Sequence, residues 1–198
     1  MLASQQGPIH RIIGAVEQAQ VPVAQVREHL GIEGMGVEAA LNFRDKGRMK
    51  NLLQAAGLPC ARHRKVTSKK DAIAFAKTTG YPLVAKPPDG AGSQATFRAN
   101  NELELAKALE TNIPRPGHEV LLEEFIVGHE HSFDTFSLGS QPVFHSLTQY
   151  FPNPLEAVRE PWIQWQVVLP HEVEAPAYDD IRAAAYRTLD VLGMETGM

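Results

Sequence analysis

Apolar residues recur at helical spacing in some stretches of this chain and alternate with polar ones in others. Ile9, Ile12, Ile13 and Val16 follow the helical period, which predicts an amphipathic helix over residues 8–20. A second, short helix is predicted from Val23 to Leu30 with Gly31 as its stop, and Gly31, Gly34 and Gly36 then predict a loop. The next helix begins near Asp45, which can cap it. Met49, Leu52, Leu53 and Ala56 form its expected buried stripe, and Gly57-Leu58-Pro59 ends it. Residues 60–66 read as a strand. Ser68 followed by Asp71 resembles a capping box ahead of Ile73, Phe75 and Ala76, and Gly80 is the stop.

Strand Pro82–Lys86 follows, then a glycine-rich loop and an extended piece through Phe97. Asn101 caps a helix holding Leu103, Ala106 and Leu109, and Val120–Phe125 reads as a strand. From His131 to Ser137 polar and apolar residues roughly alternate, and Gly139-Ser140 turns a hairpin into Val143–Tyr150. A loop with Pro152, Pro154 and Pro161 leads to an expected strand, Trp162–Leu169, whose two tryptophans are expected in the core. Residues 176–192 form a last helix with Ile181, Ala184, Ala185, Leu189 and Leu192 as its apolar face. Helices come first and two α/β units on mainly antiparallel strands follow. This is an α+β architecture, without the simple alternation of a doubly wound sheet.

A length of 198 residues with 43% hydrophobic content suits one or two small packed domains. The net charge of -4 argues against a general nucleic-acid surface, and no apolar run approaches the roughly 20 residues of a membrane span. The first residues show no basic-then-apolar signal pattern, and Cys60 is the only cysteine, so a cytoplasmic setting is expected. His129 and His131 would share one face of a strand, but no third ligand at a telling spacing joins them, and no metal site is assigned.

The chemistry concentrates after the strand that ends in Lys86. Gly90, Gly92 and Ser93 follow it at once. Glycines let a backbone approach an anion and turn its N–H groups toward it, and a lysine adds a compact positive charge. That combination suits a polyphosphate. It is neither a P-loop nor a Gly-x-Gly-x-x-Gly turn opening a helix.

Four segments in order carry a resemblance. They are Arg44-Asp45-Lys46-Gly47-Arg48-Met49-Lys50 opening a helix that ends in Ala56-Gly57-Leu58-Pro59-Cys60; Gly80-Tyr81-Pro82-Leu83-Val84-Ala85-Lys86 before the glycine loop; Leu121-Leu122-Glu123-Glu124-Phe125-Ile126; and Gly128-His129-Glu130-His131-Ser132-Phe133-Asp134. Together they resemble an ATP-grasp enzyme of the biotin carboxylase and carbamoyl-phosphate synthase type, over roughly residues 44 to 198. The resemblance implies two α+β subdomains holding ATP between them. It also implies transfer of the γ-phosphoryl group to a small carboxylate and attack on the acyl phosphate by an amine or similar nucleophile. Cations must offset the repulsion between triphosphate and carboxylate.

By the same resemblance, Lys46 and Lys86 are phosphate-contacting lysines and Glu123 accepts from the adenine amino group. The backbone of Glu124 and Ile126 reads the rest of the adenine edge, and Glu130 binds the ribose hydroxyls. Glu123 and Glu124 point to opposite faces of a strand, and the family register selects Glu123. Catalytic residues are not assigned. The implied organisation is a helical remnant of an N-terminal domain over 1–43, a first subdomain with lid and glycine loop over 44–128, and an incomplete second subdomain over 129–198. The Mg²⁺ ligands, a glutamate and a Glu-x-Asn pair, are expected beyond the end of the chain. The expected partners are therefore ATP and a small carboxylate, with no nucleic acid and no membrane. Self-association into a homodimer is left open. The rival reading is a nucleotide-binding module or pseudo-enzyme without turnover.

Overall fold

The computed structural model describes residues 7–89, 95–160 and 162–197. Along the chain come α1 (Gln20–Leu30), α2 (Val37–Arg44), α3 (Lys46–Ala55), β1 (His63–Val66), α4 (Lys69–Thr79), β2 (Leu83–Lys86) and β3 (Phe97–Ala99). Then follow α5 (Glu102–Thr111), β4 (Val120–Glu124), β5 (His131–Leu138), β6 (Gln141–Phe151), α6 (Pro154–Arg159), β7 (Gln166–Val168) and α7 (Asp179–Leu192). The chain forms two compact units. One comprises residues 1–44, 133–146 and 173–198, the other 45–132 and 147–172.

The unit built from 45–132 and 147–172 holds a four-stranded sheet in the order β1-β4-β2-β3, with every neighbouring pair antiparallel. Its helices start where local chemistry dictates. Ser68 accepts from the Asp71 N–H and Asn101 from the Glu104 N–H, each relieving an unpaired donor in the first turn. Val66, Leu83, Ala85, Val120 and Leu122 on the strands pack against Ala72, Phe75 and Ala76 of α4 and Leu105, Ala108 and Leu109 of α5. Strand alternation therefore gives one sheet face to these helices and turns Lys65, Val84, Lys86, Leu121 and Glu123 to the other.

The other unit has a smaller core of Ala24, Met35, Ala40 and Met194, with Phe43 and Leu189 packed against it. Buried Arg27 ties it together: its guanidinium donates to the carbonyls of Ile12, at 2.9 and 2.6 Å, and Met35, at 3.2 Å. These bonds satisfy a cation that burial would otherwise penalise.

The structure corrects several sequence expectations. Residues 7–15 carry no regular secondary structure, so the helix over 8–20 is not formed there, and Ile9, Ile13 and Val16 are exposed. Helical spacing forms a helix only with a surface on which to bury the apolar stripe. Conversely, α2 occupies residues for which no separate element was expected, and α6 lies in the proline-rich segment with Pro154 in its first turn. The stripe of Met49, Leu52, Leu53 and Ala56 on α3 is only half-buried, and Ala184 on α7 is exposed. The strand expected over Trp162–Leu169 shortens to β7. Trp162 is 79% exposed rather than in the core, and Trp165 stacks on Tyr150 at 5.9 Å between centroids. His129 precedes β5, so it shares no strand face with His131. Among the described residues no helix is long and apolar enough to cross a membrane.

Candidate nucleotide site

The face of the four-stranded sheet turned away from α4 and α5 carries the candidate site. Register places Lys86 and Lys65 opposite Leu121 from the two flanking strands, and Val84 and His63 opposite Glu123. Lys86 and Glu123 are thus diagonal neighbours on one face. Lys86 Nζ donates to Glu123 Oε2 at 2.9 Å. The residue Glu123 is only 6% exposed, so its charge needs this partner.

A second cation reaches the same carboxylate from above the sheet. Asp45 caps α3 by accepting from the N–H groups of Gly47 and Arg48, both at 2.9 Å. One turn beyond Lys46 on that helix, Lys50 places Nζ 3.5 Å from Glu123 Oε1. Oε1 itself is buried and makes no hydrogen bond among the described residues. It sits beside one ammonium while its twin oxygen is bonded to another.

The start of α3 is fixed from several directions. The Lys46 N–H donates to the Pro88 carbonyl at 3.0 Å, joining the helix to the segment after Lys86. Lys65 pairs with Asp45 and lies 3.6 Å from Glu119. Its stem crosses buried Gly47, where an added methyl would overlap the Lys65 methylenes. Burial pushes the Asp45 carboxyl up, but the Lys65 ammonium and the two helical N–H groups outweigh it and hold it below its ordinary range.

The remaining sequence-predicted residues fall as follows. Lys46 is half-buried at the first position of α3. Glu124 is engaged elsewhere: its carboxylate accepts from the backbone and guanidinium of Arg62 at 2.7 and 2.6 Å, and its own N–H donates to the Arg62 carbonyl. The Arg62 N–H, then its side chain, lowers the Glu124 carboxyl below the usual carboxylate range. Exposed Ile126 follows the end of β4. Partial burial raises the Glu130 carboxyl despite the opposing charge of Lys86. Gly90, Gly92 and Ser93 lie outside the described residues.

Sequence reasoning missed Lys50 and Lys65. The signal for Lys50 was its place four residues after Lys46, on the same helix face. For Lys65 there was none, because only strand register brings it to Asp45. Arg98, with its guanidinium carbon 4.1 Å from the Phe125 ring centroid, was likewise invisible.

Comparison with known proteins agrees with this arrangement. Residues 44–161 match the family model for phosphoribosylglycinamide synthetase, ATP-grasp (A) domain. The chain is 30% identical to a D-alanine–D-alanine ligase of Pseudomonas entomophila, over 86% of this chain and 57% of that protein. It is 29% identical to the carbamoyl phosphate synthase large chain of Thermotoga neapolitana, over 92% of this chain and 17% of that one. An L-amino acid ligase from Bacillus licheniformis has the same fold, with a TM-score of 0.77 at 20% identity over 99% of this chain and 45% of its own. The chain thus spans little more than half the length of the D-alanine ligase it matches. With its α+β fold and its match across residues 44–161, this chain belongs to the ATP-grasp family.

Proposed function

We propose that the chain supplies the ATP-binding part of an ATP-dependent ligase joining a carboxylate to an amine. The observation that carries this reading is the buried Glu123 carboxylate gripped on one oxygen by Lys86, with its other oxygen lacking a hydrogen bond. An exocyclic amino group is a donor of the kind that oxygen lacks. Lys86 leads directly toward the glycine loop, where phosphates need cations and backbone N–H groups.

Carboxylate-to-amine ligation needs activation of the carboxylate. ATP supplies it: the γ-phosphoryl group moves to the acceptor oxygen, ADP leaves, and the amine displaces phosphate from the acyl phosphate. In this reading Lys86 and Lys46 balance phosphate charge, Glu123 and the main chain of Glu124 and Ile126 read the base, and Glu130 holds the ribose. The Glu124 N–H and carboxylate are already committed to Arg62, so in this reading the Glu124 main chain meets the base through its carbonyl alone. The likeness to a D-alanine ligase supports an amino acid as the acceptor carboxylate. For Mg²⁺, the described residues offer no cluster of three or more carboxylate, histidine or cysteine side chains able to hold a metal.

Protection from an amine-reactive reagent tests the proposal. ADP should shield Lys86 from labelling while exposed Lys69 and Lys70 react as before, read by peptide mass spectrometry. Equal labelling of Lys86 with and without saturating ADP would overturn the reading.

A further inference from the structure

We propose that Lys50 is a specificity-determining residue of this site, setting the preference for adenine by aiming Glu123 rather than by touching phosphate. The inference rests on the nucleotide reading above and extends it to a residue to which the resemblance assigned no role.

The two oxygens of Glu123 have different surroundings. Oε2 is committed to Lys86 at 2.9 Å. Oε1 is buried and 3.5 Å from Lys50 Nζ, too far for a good hydrogen bond yet close enough for strong attraction. Two ammonium groups, one per oxygen, restrict rotation of the carboxylate and leave Oε1 lone pairs for an incoming donor. An adenine amino group is such a donor. The oxo group of hypoxanthine at the same ring position is an acceptor and would face Oε1 with repulsion.

Lys50 is itself held in place. Its side chain is 19% exposed. On the next residue of α3, the Asn51 Oδ1 lies 2.9 Å from His63 Nε2, and His63 is the register partner of Glu123 on β1. The other His63 ring nitrogen lies 3.1 Å from the Ala61 carbonyl, so the imidazole is engaged away from Glu123. At the start of the helix, the Asp45–Lys65 pair fixes the first turn. Lys50 therefore approaches Glu123 from a helix tied to the sheet on both sides of it.

The test titrates the parent chain, Lys50→Met and Lys50→Arg with ADP, IDP and inorganic tripolyphosphate by calorimetry, with thermal melts to verify folding. Lys50→Gln replaces Lys50→Met if the latter does not fold. Lys50→Met should lower the preference for ADP over IDP about 3- to 10-fold, a size typical of coupled neighbours. Tripolyphosphate affinity should stay unchanged, and Lys50→Arg should retain most of the preference. An unchanged preference in Lys50→Met, beside a parent chain that discriminates, overturns the role of Lys50 alone. An equal loss for tripolyphosphate and ADP makes Lys50 a phosphate ligand and also overturns it. A parent chain that binds ADP and IDP alike removes the base-reading role of Glu123, and this proposal with it.

Discussion

Lys86 Nζ lies 2.9 Å from Glu123 Oε2, across neighbouring strands and 37 residues apart in sequence. Removing the cation leaves a buried carboxylate with a weaker partner. Lys86→Met is therefore expected to destabilise the chain by about 1–3 kcal/mol, at the low end of buried pairs because the Lys86 side chain is 21% exposed. Adding Glu123→Gln should restore much of the loss. Urea denaturation of the parent, both single variants and the double variant measures the coupling; strict additivity would mean that the pair contributes nothing.

The Asp45 cap gives a second expectation. Asp45→Ala should cost about 1 kcal/mol, the usual value for losing an N-cap. Because the folded-state carboxyl titrates below its ordinary 3.8, its contribution is complete above that value and disappears as pH falls through 3.8 and then through the folded value. Asp45→Asn can still cap the helix but cannot titrate, so its stability should fall less steeply into acid. Parallel denaturation curves from neutral to acid pH provide the check.

Glu130 should behave with the opposite sign. Partial desolvation raises its folded-state carboxyl above 4.5 despite the charge of Lys86, so ionisation favours the unfolded chain and stability falls as pH rises through 4.5 and the folded value. Glu130→Gln should stabilise the chain at neutral pH and change little in strong acid. Equal effects at both ends would remove Glu130 from this account.

Gly47 lies under the stem of Lys65. Gly47→Ala would favour helix locally but push Lys65 away from Asp45, an overpacking cost of about 1–3 kcal/mol. Shortening Lys65 in the same chain should relieve the clash. A Gly47→Ala variant at least as stable as the parent would show that Lys65 has room to move.

Local signals carried most of the fold into view from sequence. Asp45, Ser68 and Asn101 accept from their own first turns, and Gly31 ends α1 in a left-handed conformation. Lys86 and Glu123 were also readable, because each belongs to a motif contiguous in sequence. Pairing was not. His63 and Lys65 reach the face of Glu123 and Leu121 only through strand register, and Lys50 meets Glu123 only because α3 lies over that face. The expected first helix failed for a related reason: periodicity in Ile9, Ile13 and Val16 specifies a face but not a surface to cover it.

In the proposed function, Lys86 and its buried carboxylate partner form a nucleotide site. Calorimetric titration of the whole chain with ADP, beside Lys86→Met and Lys46→Met, puts this to the test. The expected result is saturable binding by the parent, a loss of about 10- to 150-fold in Lys86→Met, equivalent to a charge-assisted bond of about 1.5–3 kcal/mol, and a smaller loss in Lys46→Met. Absence of binding by a folded parent chain, or equal affinity in Lys86→Met, would contradict the account.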